Sequence, residues 1–154
     1  MNLDAWQRFS QYPDARSFFR SMKRYRANAD YWREVAVMGV DAMGSAGERI
    51  SSPMPSNPTE LQALRYLLND GKMRERAQRK LDECEDYLGA ALVAIEAVRV
   101  GLGEKYADAL DLHYMDGHTE RDTADLMDVS RATVARWIGT ALDWCDYRGR
   151  ELFM

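Results

Sequence analysis

The 154-residue chain has only two cysteines and two histidines, so it is poor in the side chains that most often hold metals or do redox chemistry. Cys84 and Cys145 stand far apart with no CxxC spacing. They read as small core residues in a reducing compartment, with a single disulfide between them as the alternative. His113 and His118 flank Asp116, but no further ligand stands at a metal-site spacing, so no metal is expected. There is no HExxH, no glycine-rich phosphate loop and no Ser-His-Asp ordering. An enzyme is therefore not expected, nor a cofactor. No apolar run approaches the ~18 residues of a membrane helix. The opening Met1-Asn2-Leu3-Asp4-Ala5-Trp6 lacks a basic stretch followed by an apolar one, so neither a membrane anchor nor a signal peptide is expected, and a cytoplasmic location is the expectation. An excess of positive charge is also missing. Lys and Arg number 21 against 25 Asp and Glu, for a net charge of −4. That balance counts against indiscriminate coating of nucleic acid, but not against a reader whose few cations sit on one helix.

What is present points to an all-α fold. Hydrophobic residues make up 46% of the chain and charged ones 30%, enough apolar side chains to fold. Ala, Leu, Arg, Glu and Met are plentiful, Pro and Gly are few, and β-branched residues are sparse. The spacing predicts an N-terminal helical region over 1–43, a linker over 44–57, long heptad-patterned helices over 58–103 and a trihelical module over 104–154.

In the first region a helix starts near Asp14, after Pro13. Phe18, Met22, Tyr25, Ala29, Trp32 and Ala36 recur in steps of four and three, one helix face. Arg20, Lys23, Arg24, Arg26 and Arg33 lie between them, either as a solvated face or as a phosphate-contacting one. Trp6, Phe9 and Tyr12 precede that helix and read as core or staple residues. Gly44 to Asn57 is rich in Gly, Ser and Pro. Asn57, Pro58 and Glu60 then resemble the cap, first position and capping-box acid of a new helix. Leu61, Leu64, Leu67 and Leu68 follow, with a kink or interruption expected at Asn69-Asp70-Gly71. The stripe resumes with Ala77, Leu81, Cys84, Leu88, Ala91, Ile95, Val98 and Leu102, and Gly101 and Gly103 end it. A helix packed along its length keeps such a register. The partner is either the N-terminal stripe of the same chain or a second copy, and a homo-oligomer is the expectation.

The informative stretch is Lys105 to Tyr147. A helix carrying Tyr106, Leu110, Leu112 and Met115 closes on Asp116-Gly117. Thr119 is placed to cap a short helix, Glu120 to Met127, with Asp122 at the capping-box position. Asp128-Val129 makes a tight turn, and Ser130 caps a third helix carrying Ala132, Val134, Ile138, Leu142 and Cys145. Ala124 is small enough for two helices to touch, Val129, Val134 and Ile138 fill their crossing, and Asp128 tolerates a left-handed backbone. Trp137 and Trp144, seven apart, are expected in core or inter-domain contacts.

The pattern Leu110-x-x-x-Tyr114-x-Asp116-Gly117-x-Thr119, Asp122-x-Ala124, Val129-Ser130-x-x-Thr133-Val134-x-Arg136 resembles the sigma-factor region-four type of helix-turn-helix. Two positions depart from it. Thr123 stands where the family has an aliphatic residue, and Asp128 where it has glycine. The order of helical region, Ser-Pro linker, long helix and C-terminal module resembles the RinA/ArpU-like regulators of bacteriophages. The resemblance implies a sequence-specific regulator of phage or prophage late genes, in the cytoplasm of a bacterial host, with double-stranded DNA and RNA polymerase as partners. Carried onto this sequence, it makes Arg131, Ala132, Ala135 and Arg136 groove-facing. Arg131 or Arg136 would bond guanine bidentately, and Ala132 or Ala135 would meet a thymine methyl. Thr119, Arg121, Ser130 and Thr133 would contact phosphates. Two competing readings are a small-terminase-like DNA-packaging adaptor and a module that docks on RNA polymerase without affinity for free DNA.

Overall fold

The computed structural model describes residues 2–38 and 56–154, with side chains placed over 2–36 and 71–154. Among the described residues every element is helical. They are α1 (Leu3–Ser10), α2 (Ala15–Arg20), α3 (Met22–Met38), α4 (Ser56–Gly101), α5 (Glu104–Leu110), a π-helical turn (Asp111–Met115), α6 (Glu120–Met127), α7 (Arg131–Arg148) and a closing 3-10 helix (Gly149–Phe153). No helix among them is long and apolar enough to cross a membrane. The chain divides into two compact units, residues 1–26 with 85–154, and residues 27–84.

The first unit begins where the sequence predicts no helix. Trp6 and Phe9 do not precede the first helix but lie on α1. The Asn2 side chain accepts the Ala5 amide at 2.9 Å, an N-cap that aromatic content hides from a search for apolar periodicity. Phe9 is buried among Phe18 (ring centroids 5.0 Å) and Phe153 (5.5 Å), and Trp6 lies over Phe153 at 6.2 Å. Phe9 is core, and Trp6 and Tyr12 pack half-buried against it. Asp14 caps α2 through the Ser17 amide at 2.7 Å, which holds its carboxyl below the usual range. The predicted helix from Asp14 breaks at Ser21 into α2 and α3, although Ser21 still bonds backward to Ser17 and forward to Tyr25.

The two stripes meet inside this unit. Phe18 and Met22 are buried in the same core as Tyr87, Ala91, Ile95 and Val98, with Tyr25 stacked on Tyr87 at 4.3 Å. Leu88 and Leu102 are half-buried against that core. The part of the long stripe from residue 87 to 98 is thus packed within the chain. In the second unit Ala29, Ala77, Leu81 and Cys84 are buried.

Helix α4 runs unbroken through Asn69-Asp70-Gly71, contrary to an interruption there. A single glycine costs ~1 kcal/mol in a helix interior, which a 46-residue helix absorbs. The helix starts at Ser56, just ahead of Asn57. Most of the Gly44–Asn57 linker and the side chains of Glu60, Leu61, Leu64, Leu67 and Leu68 lie outside the described residues.

Both cysteines are buried, and burial pushes the Cys145 thiol up to about 12. His113 points Nδ1 at the His118 carbonyl oxygen, 2.7 Å away, closing the loop before α6. Among the described residues no group of three His, Cys, Asp or Glu side chains is placed to hold a metal ion.

Candidate nucleic-acid interface

The approach to α6 is tighter than the sequence pattern suggests. After α5 the backbone widens into a π-helical turn, with the Asp116 amide donating to Asp111 at 2.9 Å. Tyr114 is buried from this turn against Phe19, ring centroids 5.6 Å apart. Burial, and then the charge of Asp116, raise the carboxyl of Asp111 above its ordinary range. Gly117 follows at φ +80°, a backbone that L-residues rarely adopt, and the Arg26 guanidinium lies directly over it while donating to the Met115 carbonyl.

The two helices of the motif form as their caps predict. Thr119 Oγ1 accepts the Asp122 amide at 3.0 Å, and Ser130 Oγ accepts the Thr133 amide at 3.1 Å. Helix α6 ends on Asp128 in the left-handed region, φ 56° and ψ 47°. The Val129 amide returns to the Ala124 carbonyl at 3.0 Å, so the turn leaves few free backbone groups. Ala124, Val134 and Ile138 are buried at the crossing and Val129 is half-buried.

Thr123 is fully buried, and among the described residues its Oγ1 has no hydrogen-bond partner. An orphaned buried hydroxyl forfeits its hydration with nothing in return, at a cost of about 1–3 kcal/mol. Thr123→Val keeps the shape and removes the hydroxyl. It should raise stability by about 1 kcal/mol at an unchanged denaturant slope. A midpoint that stays put or falls would mean that the hydroxyl is satisfied.

The predicted contact residues do not all share one strip. Ala132, Ala135 and Arg136 are exposed on one side of α7, with Gly139 a turn further on. A Cβ added to Gly139 would meet nothing within 4 Å, so internal packing does not require glycine there. Arg131 is exposed too, at the edge of the same arc, about 40° around the helix from Ala135 and roughly 140° from Arg136 at 3.6 residues per turn. Its Nε is 3.7 Å from Glu120 at the start of α6. Thr119, Arg121 and Ser130 are exposed near the starts of α6 and α7, and Thr133 is half-buried with its hydroxyl 2.8 Å from that of Ser130. Trp137 and Trp144 have different neighbours. Trp137 meets Tyr106 at 6.4 Å and Trp144 lies against Gly101.

Sequence reasoning missed how the N-terminal helices hold this module. Asp146 on α7 accepts the Ala15 amide of α2 at 2.7 Å, and Arg26 of α3 grips the turn at Met115–Gly117. Contacts between positions 131 and 89 residues apart leave no periodic signal.

Residues 94–145 match the family model Sigma-70, region 4. The span runs from the last turns of α4 through α5 and α6 into α7. No curated protein and no solved structure matches the chain. With its two capped helices and left-handed turn, the stretch is a sigma region-4-like helix-turn-helix, a DNA-binding arrangement.

Proposed function

We propose that the chain is a sequence-specific transcription regulator that presents the first turns of α7 to a DNA major groove. One observation carries this reading. The exposed strip of Ala132, Ala135 and Arg136 opens on the outer side of a helix whose inner side is locked to α6, within a span matching the sigma region 4 model. Arg136 is the base-reading cation of that strip. Arg131, braced toward Glu120, reads a base at its edge or bonds a phosphate, and Thr119, Arg121, Ser130 and Thr133 take phosphate positions. Asp108 faces Arg99 at 2.9 Å and Glu120 faces Arg131, so part of the acidic charge near the module is already answered by the protein.

The proposal extends to phage or prophage late genes and to RNA polymerase as a protein partner, on the resemblance to RinA/ArpU-like regulators. It also includes a homo-oligomer, because two reading heads held together gain effective concentration on paired half-sites. Selection of bound duplexes from a random pool tests the core of the reading. A defined motif should emerge. Arg136→Ala and Arg131→Ala should each weaken binding to it, by about 1–3 kcal/mol where the arginine bonds a base bidentately, with relaxed preference at one base pair. If both variants keep the affinity and motif of the parent, the reading face is misassigned.

A further inference from the structure

The stretch from Ala15 to Ala29 holds five cations, Arg16, Arg20, Lys23, Arg24 and Arg26, and no acidic residue, in a chain of net charge −4. Two of the five are occupied. Arg24 lies over the Tyr25 ring at 5.0 Å and reaches the Tyr12 hydroxyl at 3.4 Å, and Arg26 bonds the Met115 carbonyl. Arg16, Arg20 and Lys23 are exposed, and among the described residues none of them makes an ion pair. Arg16 and Arg20 share one face of α2, about 40° apart at roughly 100° per residue, and Lys23 follows on α3 just past the break at Ser21.

Their place in the fold distinguishes this strip from an ordinary solvated face. Phe19, between Arg16 and Arg20 in sequence, is seated on Tyr114. The Asp146 carboxylate holds the start of α2 to α7, and Arg26 holds α3 to the turn before α6. The strip is therefore fixed to the helix-turn-helix within one compact unit. Burial raises the Tyr114 phenol, while the charges of Arg16 and Arg20 oppose that rise and Glu120 adds to it. Both arginines and the first residue of α6 thus lie within electrostatic reach of one side chain. Glu120 in turn neighbours Arg131, the first residue of α7. Arg20 adjoins Phe19, which is seated on the π-helical turn, and Lys23 lies about one turn before Arg26, which grips Met115–Gly117 just ahead of α6, while Arg16 adjoins Ala15, held by Asp146 near the C-terminal end of α7.

We infer that Arg16, Arg20 and Lys23 form a second DNA-contacting surface, which binds the phosphate backbone flanking the base pairs read by α7. The inference rests on the proposed DNA-binding function. From Arg16 to Lys23 the strip rises about 10 Å at 1.5 Å per residue. Phosphates of one strand advance about 3.4 Å per nucleotide along the duplex axis, so cations spread over this length along that axis can meet two or three of them. This surface supplies the general affinity that an acidic chain otherwise lacks.

The test uses the full chain and a duplex carrying the motif selected by the parent, with affinity followed against salt concentration. Every phosphate that is no longer neutralised should make the slope of log K against log salt shallower by about 0.9. The triple variant Arg16→Gln, Arg20→Gln, Lys23→Gln should flatten the slope by about 2–3 and weaken low-salt binding at least about tenfold, while base preference stays unchanged. The charge-preserving pair Arg16→Lys, Arg20→Lys should retain most of the slope, and circular dichroism should show both variants folded. A triple variant with the parent's slope and affinity, in a protein that Arg136→Ala still weakens, would overturn the second surface and leave the reading helix standing. Loss of polymerase binding with DNA binding intact would also overturn it. Failure of the parent to bind any duplex would instead remove the functional reading itself.

Discussion

Phe18→Ala is expected to destabilise the first unit by about 3–5 kcal/mol, the range for emptying an aromatic side chain from a core. Phe18 has no exposed surface, and its ring meets Phe9 at 5.0 Å, Phe19 at 5.3 Å and Tyr12 at 5.6 Å. None of those partners is flexible enough to refill the space without giving up its own packing. Phe9 is committed to Phe153 and Phe19 to Tyr114. Against a typical domain stability of about 5–15 kcal/mol, such a loss is a large fraction of the whole. It should lower the unfolding midpoint by more than about 10 °C. The substitution is far in sequence from α6 and α7, yet the same core contains Val134, Ile138 and Leu142. Loss of helicity and loss of DNA binding should therefore coincide on heating. A penalty below about 1 kcal/mol, or a module that goes on binding DNA after the N-terminal helices melt, would show that α1 and α2 are not part of its core.

The all-α class and the helix-turn-helix were legible because both rest on local rules. Thr119 and Ser130 announce their helices through side-chain caps a few residues away, and Asp128 announces the turn through its tolerance of positive φ. The two stripes were legible as stripes, but period alone does not name a partner, and the structure pairs Phe18 and Met22 with Tyr87–Val98 of the same chain. Helix α1 was missed because its signal is one capping asparagine and two buried residues, Ala5 and Phe9, too few for a period. The π-helical turn at Asp111–Met115 left no local signature either. At the candidate site, spacing alone does not show which neighbour each exposed side chain leans toward. A residue in a helix's first turn can be exposed while leaning toward the neighbouring helix, as Arg131 does toward Glu120. The bracing by Asp146 and Arg26 is tertiary and could be read only from the fold.

Gly117→Ala should cost about 2.5–5 kcal/mol, from two sources that a double-mutant cycle separates. The first is local. At φ +80° an L-residue meets its own backbone, at about 1–2 kcal/mol. The second is the Arg26 guanidinium, which occupies the space where the new methyl would stand. A long side chain can swing aside, so the clash itself is cheap. Swinging aside, however, gives up the charge-assisted bond to the Met115 carbonyl, worth about 1.5–3 kcal/mol. Arg26→Ala alone should remove that bond and the packing of its stem over the turn. If the second source is real, the double variant must not pay for Arg26 twice, and its penalty should fall short of the sum of the single penalties by about 1 kcal/mol or more. Strict additivity would confine the glycine requirement to backbone strain. DNA binding offers an independent readout. The turn sets where α6 starts, and α6 sets where α7 lies, so Gly117→Ala should also weaken binding to the selected motif at temperatures where the protein remains folded. Full affinity in a folded Gly117→Ala variant would show that the grip of Arg26 on the turn stabilises the unit without positioning the reading helix.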